Sequence, residues 1–486
     1  MPDDWEQFDQ SSLVELVHQL CDENRKLREE LEQLKSKNPP TRLNESYSVD
    51  AEEKRRRDQD DNDRPKPKGK GSTKAEQSSQ RRGRRKAQDK IERSEHIELV
   101  IPEGFDIGQC TFAGERPVWR IINGKAVLVA YEIYRGPNGE TAAIPGVFGR
   151  SEFGFEVSVA VAFIVSVIGV SLDKAADVLK FFWQLDLSKS QIDALLNQLS
   201  KRWETEFETL CDLLAASAVV HADETGWSIN SAWAFLSERA RVFVFGCRKN
   251  ADTLANILPK TSFTGILHSD NAAVYKGYLK AQKCWAHLLR KAIKLVLLHP
   301  EECEYRFFLD ELLAVFYDAK RFAADQRFPD NGRAAKVNEL DNQLANLLVR
   351  YCAEEPVVLL EQFDNDFENL VFELVGLMSD DELFTFVRHM EAAATNNEAE
   401  RSLRDTALAR GSGRGSKTPR GARRRSVLTT VFESLKLHLA SFHLATVLAE
   451  VGEWQQTGKS LFDRLRIDVG LDPPGQPRLE NLVPSA

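Results

Sequence analysis

Short apolar runs alternate with turns through the middle of the chain and predict a mixed sheet. Runs at residues 218–224, 231–236 and 241–247 have the length and composition of strands and are joined by tight turns. A helical pattern at 251–258 separates them from a fourth apolar run at 265–269. This order, three strands followed by a helix and a strand, is typical of α/β folds and allows the fourth strand to lie parallel to the first.

Two acidic residues stand at corresponding ends of these runs. Asp223 lies near the end of the first run, and Asp270 directly follows the fourth. Parallel neighbouring strands end at the same edge of a sheet, so we expect the two carboxylates to lie side by side. Glu224 is a competitor for the role of Asp223, but alternation along a strand sends it to the opposite face.

Upstream of the sheet, the pattern predicts two smaller units. Short strand-like runs separated by the hairpin signal Asn123-Gly124 predict a β module at residues 94–150. Residues 151–210 are predicted to be helical, and the helices at 172–182 and 188–203 resemble a helix-turn-helix that would bind DNA. Its outward-facing residues would be Lys189, Gln191 and Asn197. The second helix carries little positive charge, so a helical packing unit fits slightly better.

Downstream of the sheet, helical patterns dominate. The α/β core is predicted to begin at residues 211–299 and to be completed by helices and a basic loop at 391–455. A large helical insertion with leucine and phenylalanine stripes is predicted between them, at 300–390. One long amphipathic helix is predicted from 427 to about 450. Residues 456–486 are predicted to be a C-terminal tail, and its proline-rich part, 470–486, is predicted to be loose.

The N-terminal segment has a seven-residue leucine repeat. The repeat is formed by Leu13, Leu20, Leu27 and Leu34. With Asn24 as a polar residue in the seam, this pattern predicts a coiled coil at residues 1–40 and hence a homodimer. The alternative is an amphipathic helix that packs on its own chain. Residues 41–93 are polar and basic and are predicted to form a disordered linker.

The overall charge conceals two basic segments. The chain carries a net charge of −9, yet residues 54–93 hold 16 basic against 7 acidic side chains, and residues 410–425 hold seven basic side chains and no acid. Such local clusters are typical of phosphate contacts.

The longest apolar run, 157–170, is shorter than the roughly 20 residues of a membrane span. We therefore expect a cytoplasmic protein without membrane association, and seven cysteines without a CxxC pair argue against a disulfide framework.

A third acid, Glu400, follows an asparagine pair that is predicted to open a helix. Asp223, Asp270 and Glu400 are far apart in the sequence and can meet only in the folded chain. Carboxylates from different elements are the ligands with which two Mg²⁺ ions catalyse phosphodiester chemistry. The alternative is a set of ordinary solvated acids, with Glu400 paired to Arg404 one helical turn away.

Five short blocks, taken in order, resemble the signatures of a known family. They are His221-Ala-Asp-Glu-Thr225, Ser269-Asp270, Cys284-Trp-Ala-His-Leu-Leu-Arg290, Thr395-Asn-Asn-Glu-Ala-Glu-Arg401 and Arg420-Gly-Ala-Arg423. Together they resemble the insertion-sequence-66 family of bacterial transposases. The resemblance implies a DDE transposase with an RNase H-like mixed-sheet core, in which Asp223, Asp270 and Glu400 are catalytic and hold two Mg²⁺ or Mn²⁺ ions. It also makes Glu398 a variable position.

The resemblance further implies DNA as the partner, both the ends of the element and the target. The side chains expected to contact DNA are Arg401, Arg404, Arg410, Arg414, Lys417, Arg420 and Arg423. A homodimer, an accessory protein of the same element and association with the bacterial nucleoid are further expectations. Two alternatives stay open: a transposase-derived DNA-binding protein without catalysis, and a metal-dependent nuclease without strand transfer.

Two cysteine-containing segments bear on a second metal. Members of the resembled family usually carry a cysteine-paired zinc ribbon ahead of the core, whereas here only Cys110 stands in the corresponding stretch. We therefore predict that the β module at 94–150 is a degenerate zinc ribbon that has lost its metal, and we expect no structural zinc. Cys284 and His287 are natural zinc ligands, but without a second pair, buried packing beside the active strand is the favoured interpretation.

Overall fold

The protein is described by a computed structural model that covers residues 89–352, 365–412, 414–475 and 478–483. The predicted coiled coil and nearly all of the predicted basic linker therefore lie outside the described residues. Helices and two mixed sheets make up the described chain, which confirms the α/β class. No helix within these ranges is long and apolar enough to span a membrane.

The N-terminal β module is a three-stranded sheet in the order β1-β3-β2. Its strands are β1 (His96–Val100), β2 (Thr111–Ile122) and β3 (Lys125–Arg135). The β2–β3 hairpin turns at Asn123-Gly124, where φ is 51° and 74°. Two-residue hairpin turns need such positive φ values, which asparagine and glycine adopt most readily. The hairpin predicted from the sequence is confirmed.

Helices connect this module to the central sheet. They are α1 (Phe155–Ala162), α2 (Leu172–Trp183), α3 (Lys189–Arg202) and α4 (Glu204–Ala215). The expectation that Asn197 on α3 faces outward is wrong: the side chain is buried, and its Oδ1 accepts from Arg424 Nη1 at 3.3 Å. Because a buried amide needs partners inside the protein, Asn197 is committed to packing.

The central sheet has five strands in the order β6-β5-β4-β7-β8. They are β4 (Val219–Gly226), β5 (Ser231–Leu236), β6 (Arg241–Cys247), β7 (Ile266–Ser269) and β8 (Ala281–Lys283). The first three are antiparallel neighbours, whereas β7 pairs parallel with β4 and β8 parallel with β7. Helix α5 (Ala251–Ile257) lies between β6 and β7. The parallel pairing predicted from the sequence is confirmed.

Five helices follow the sheet in the described chain and form a second hydrophobic cluster. They are α6 (Trp285–Leu298), α7 (Cys303–Ala323), α8 (Asp330–Cys352), α9 (Asn365–Ser379) and α10 (Thr385–Arg388). This cluster also contains Val219 and Ile266, which face each other in the β4–β7 register. The helices are therefore anchored to the sheet at the pair of strands that carries Asp223 and precedes Asp270.

Two helices then return to the sheet. Helix α11 (Asn397–Gly411) packs on β4 and β5, and α12 (Pro419–His438) packs on β6. The predicted basic loop at 410–425 is much shorter than expected, because α12 begins at Pro419 rather than near 427. Thr418 caps this helix by accepting from Gly421 N, and proline is well suited to the first helical position.

The C-terminal region also differs from expectation. The single helix predicted to reach residue 450 is broken, and α13 (Leu444–Thr457) starts anew with His443 as its cap. Instead of a loose tail, α14 (Leu461–Asp468) and α15 (Arg478–Leu482) follow. Arg478 pairs with Asp212 at 2.5 Å. The final helix is docked because its apolar residues enter the main core, namely Leu479, Leu482 and Val483.

A ladder of hydroxyl groups fastens α12 to the edge of the sheet. Ser426, Thr430 and Ser434 recur every four residues, and their side-chain oxygens accept from the backbone N–H groups of Phe245, Phe243 and Arg241 at 2.9 to 3.0 Å. Strand β6 is an edge strand, so these donors have no neighbouring strand to pair with. Helix α12 thus covers the edge and fixes its own register against β6.

We expect Ser426→Ala to lower the free energy of unfolding by about 1–3 kcal/mol, because it leaves the buried N–H of Phe245 without an acceptor. Urea denaturation measures this change. Ser402→Ala is the control, since Ser402 donates only to a carbonyl of its own helix, that of Ala399. Equal stability of the two variants would contradict the role given to the ladder.

Candidate active site

The β4–β7 register brings two of the three predicted acids together. Val219 pairs with Ile266, and His221 pairs with His268. Continuing the same register by two residues places Asp223 opposite Asp270, which directly follows β7. Both carboxylates therefore lie at the level where β7 ends, on the face of the sheet that carries His221 and His268.

Glu400 is positioned near this end of β7 because Asn396 joins the start of helix α11 to β4 by a hydrogen bond. The Asn396 side chain is buried, donates to the carbonyl of Ala222 at 2.8 Å and has its Oδ1 3.0 Å from His221 Nδ1. Ala222 directly precedes Asp223, and Asn396 lies one helical turn before Glu400. One buried amide thus fixes the positions of two acids that are far apart in the sequence.

The electrostatics of Asp223 reflect this crowding. Burial raises the pKa of Asp223 to about 7, and the nearby carboxylates of Glu224, Asp270 and Glu400 contribute to the rise. An all-oxygen set of mutually repelling carboxylates suits hard divalent cations such as Mg²⁺, since the cation offsets the repulsion. The chemistry of the donors therefore fits the implied metal, and Asp270 and Glu400 lie near enough to Asp223 to influence its pKa.

Glu224 and Glu398, the two acids that compete for a role in the site, each form an ion pair with a basic side chain. The Glu224 side chain is only 3% exposed, accepts a hydrogen bond from Tyr275 and pairs with Lys249. Glu398 pairs with Arg241 at 2.9 Å. Both acids therefore make structural contacts, although the charge of Glu224 is near enough to Asp223 to raise its pKa.

The start of α6 surrounds Glu400 with residues that sequence reasoning did not assign to the site. Arg290 donates to Glu400 Oε1 at 2.9 Å, and His287 Nδ1 lies 3.5 Å from the same oxygen. Cys284 Sγ lies 4.0 Å from it and accepts from the backbone N–H of Asn396 at 3.1 Å. The three side chains recur every third residue, so helical spacing placed them on one face, but nothing in the sequence paired that face with Glu400.

A second unassigned contact comes from α9. Glu373 accepts from Asn271, the residue after Asp270, at 3.0 Å and pairs with Lys291 on α6. Together with Asp270 these side chains line a cavity of about 250 Å³. The helices that follow the sheet therefore contribute directly to the surroundings of Asp270.

The family model described as transposase IS66 family matches residues 153–424. The match covers more than half of the chain and includes Asp223, Asp270 and Glu400. The chain belongs to the IS66 family of transposases. No curated protein gives a significant match to it.

The basic residues expected to contact DNA in this IS66 family member lie in different settings. Arg401 and Arg404 are exposed on α11 directly after Glu400, and Lys417 is exposed before α12. Contacts within the chain join Arg401 to Asn397 O, Arg410 to Gly226 O, Arg414 to Gly169 O, Arg420 to Asn197 and Arg423 to Glu204. The pair of Arg423 with Glu204 is half-buried, which leaves this side chain less accessible than expected.

We expect the contribution of Asp223 to the free energy of unfolding of the metal-free protein to fall as pH rises from about 4 to about 7. Folded Asp223 keeps its proton up to a pKa of about 7, whereas the unfolded residue loses it near 3.8. The folded state then binds more protons in this window, so raising the pH destabilises it, by roughly 1–3 kcal/mol for this residue.

The measurement is urea denaturation at pH 5 and pH 8 in the presence of a chelator. Asp223→Asn cannot ionise and should show a weaker pH dependence than the wild type. Glu206 and Asp341 also have pKa values raised to about 7, and they contribute equally to both proteins. An unchanged pH dependence in the variant would show that Asp223 titrates normally.

Proposed function

We propose that the chain is a DNA transposase in which Asp223, Asp270 and Glu400 hold two divalent cations, Mg²⁺ or Mn²⁺. The observation that supports this proposal is that Asp270 and Glu400 lie near enough to the buried Asp223 to contribute to its raised pKa. Membership of the IS66 family supports the same assignment. The strand order β6-β5-β4-β7-β8, with three antiparallel strands and two parallel ones, supports an RNase H-like core.

The cations, when bound, would supply charge stabilisation for the attacking and leaving oxygens of a phosphodiester. The chain's own residues prepare this site. Asp223 and Asp270 extend from adjacent parallel strands, and Asn396 holds Glu400 against them. Partial burial of Asp223 strengthens the attraction between its carboxylate and a cation, while the pocket stays open to the water that nicking consumes. The reactions we propose are nicking at the element ends and attack of the freed 3′-hydroxyl on target DNA.

Exposed basic residues beside the acids support DNA as the substrate. Arg401 and Arg404 follow Glu400 on the same helix, and we propose that they contact phosphates next to the scissile bond. Arg410, Arg414, Lys417 and Arg420 continue this basic surface towards the N-terminus of α12, where a phosphate is also favoured by the helix dipole. The heptad leucines before residue 40 support a homodimer.

The experiment is a cleavage assay on labelled DNA that carries the ends of the element encoding this chain. With Mg²⁺ or Mn²⁺ we expect nicked ends and products joined to target DNA, and with a chelator we expect neither. Gel-shift binding is measured in parallel. Binding without metal-dependent cleavage would show a DNA-binding protein without catalysis, and cleavage without joined products would show a nuclease.

A further inference from the structure

A second group of potential metal ligands shares Glu400 with the three acids of the proposed active site. One donor atom each of Cys284, His287 and Glu400 lies within 4.8 Å of the other two, a grouping that stands out among the described residues. The Sγ of Cys284 and the Nδ1 of His287 lie 4.0 Å and 3.5 Å from Glu400 Oε1. These donors are a thiol, an imidazole and a carboxylate, in contrast to the all-oxygen set of Asp223 and Asp270.

The spacing of these donors is close to that required by a single tetrahedral ion. Zinc binds sulfur at about 2.3 Å and nitrogen or oxygen at about 2.0–2.2 Å, which puts ligand atoms of one tetrahedral ion roughly 3.3–3.6 Å apart. The observed separations from Glu400 Oε1 are at or slightly above this range. Small side-chain movements would bring Cys284 and His287 to these distances from Glu400 Oε1.

The two ligands on α6 are held in place by the backbone. The N–H of Cys284 donates to Ser269 O at 2.9 Å, and the sulfur accepts from Asn396 N at 3.1 Å. His287 lies three residues further on, so the first turn of α6 presents both side chains on one face. This preorganisation lowers the cost of binding an ion.

His287 offers an unused donor atom to such an ion. Its Nδ1 is buried and makes no hydrogen bond among the described residues, although Glu400 Oε1 lies 3.5 Å away. A metal ion between these two atoms would satisfy the lone pair of the nitrogen. Arg290 is the competitor for Glu400, but its side chain is 55% exposed and can turn into solvent when a cation replaces it.

We propose that Cys284, His287 and Glu400 form a site for a zinc-type transition metal ion, with a fourth position open to water. Thiolate and imidazole ligands select zinc or cobalt over magnesium. An ion bound here turns Glu400 away from Asp223 and Asp270. Resting on the proposed function, the consequence is that Zn²⁺ inhibits Mg²⁺-dependent DNA cleavage.

The binding test is a titration of the full-length, metal-free protein with Co²⁺, followed by absorption. A thiolate ligand gives a charge-transfer band in the near ultraviolet, and we expect this band to saturate at one Co²⁺ per chain. Cys284→Ser should abolish the band, and His287→Ala should weaken binding at least tenfold. Cys303→Ser is the matched control, because Cys303 is an exposed cysteine away from the site and its loss should leave the band intact.

A band that persists in Cys284→Ser, or the absence of any thiolate band in the wild type, would overturn the proposal. Thermal unfolding in chelator checks that each variant folds. The second arm compares cleavage in Mg²⁺ with and without added Zn²⁺. We expect added Zn²⁺ to lower the cleavage rate at least tenfold in the wild type and by a smaller factor in Cys284→Ser. Absence of cleavage in Mg²⁺ alone refutes the proposed function, whereas the Co²⁺ titration reads the site independently of it.

Discussion

Asp223→Asn is expected to reduce DNA cleavage and strand transfer by about 10³-fold or more while leaving DNA binding intact. The substitution keeps the size of the side chain and removes the negative charge that a cation requires. Asp223 lies near both other acids, since the carboxylates of Asp270 and Glu400 influence its pKa. Loss of a group that acts as part of a catalytic unit typically removes most of the activity of that unit.

The matched control is Asp405→Asn, which removes an exposed acid from the helix that carries Glu400. We expect this variant to cleave as the wild type does. Cleavage and joining are measured on labelled element ends in Mg²⁺, and binding is measured by gel shift. Wild-type cleavage by the Asp223→Asn protein would remove Asp223 from the catalytic site.

Asn396→Ala is expected to lower both stability and activity. The buried amide links the carbonyl of Ala222 to the turn that precedes Glu400. Its removal leaves that carbonyl and His221 without their partner, which costs about 1–3 kcal/mol of unfolding free energy. The start of α11 then loosens, and misplacement of Glu400 by about 1 Å lowers cleavage roughly 10²-fold.

Asn397→Ala tests whether this effect is specific. Asn397 is the next residue, of the same type, but it is exposed. We expect it to match the wild type in urea denaturation and in the rate of cleavage at saturating DNA. If Asn396→Ala lost stability but kept a normal cleavage rate, Asn396 would be a structural residue without a role in positioning Glu400.

The central sheet could be predicted from the sequence because its signals are local. The apolar runs gave the four longer strands to within a few residues, and the parallel pairing of β4 with β7 then followed from topology. Strand β8 has only three residues and was missed, since so short a run has no recognisable period. The start of α12 was missed although Thr418-Pro419 is a strong capping signal. The basic, glycine-containing sequence around this signal suggested a loop instead.

The neighbours of Glu400 could not be predicted because they depend on tertiary contacts. Cys284 and Glu400 are 116 residues apart, and only the docking of α11 against β4 brings them together. The same holds for Glu373, which reaches Asn271 from a helix that the sequence indicated only as part of an insertion. The docked C-terminal helix was missed for a related reason. Its few apolar residues gain stability only through contacts with the distant core.

Soaking crystals of the protein in Mn²⁺ and measuring anomalous scattering tests the central claim most directly. We predict two anomalous peaks between the carboxylates of Asp223, Asp270 and Glu400, about 3.5–4 Å apart and within about 2.0–2.4 Å of the nearest carboxylate oxygens. Crystals of Asp223→Asn grown in the same way should lose at least one peak. Anomalous peaks found only elsewhere, or bound to none of these three acids, would contradict the account.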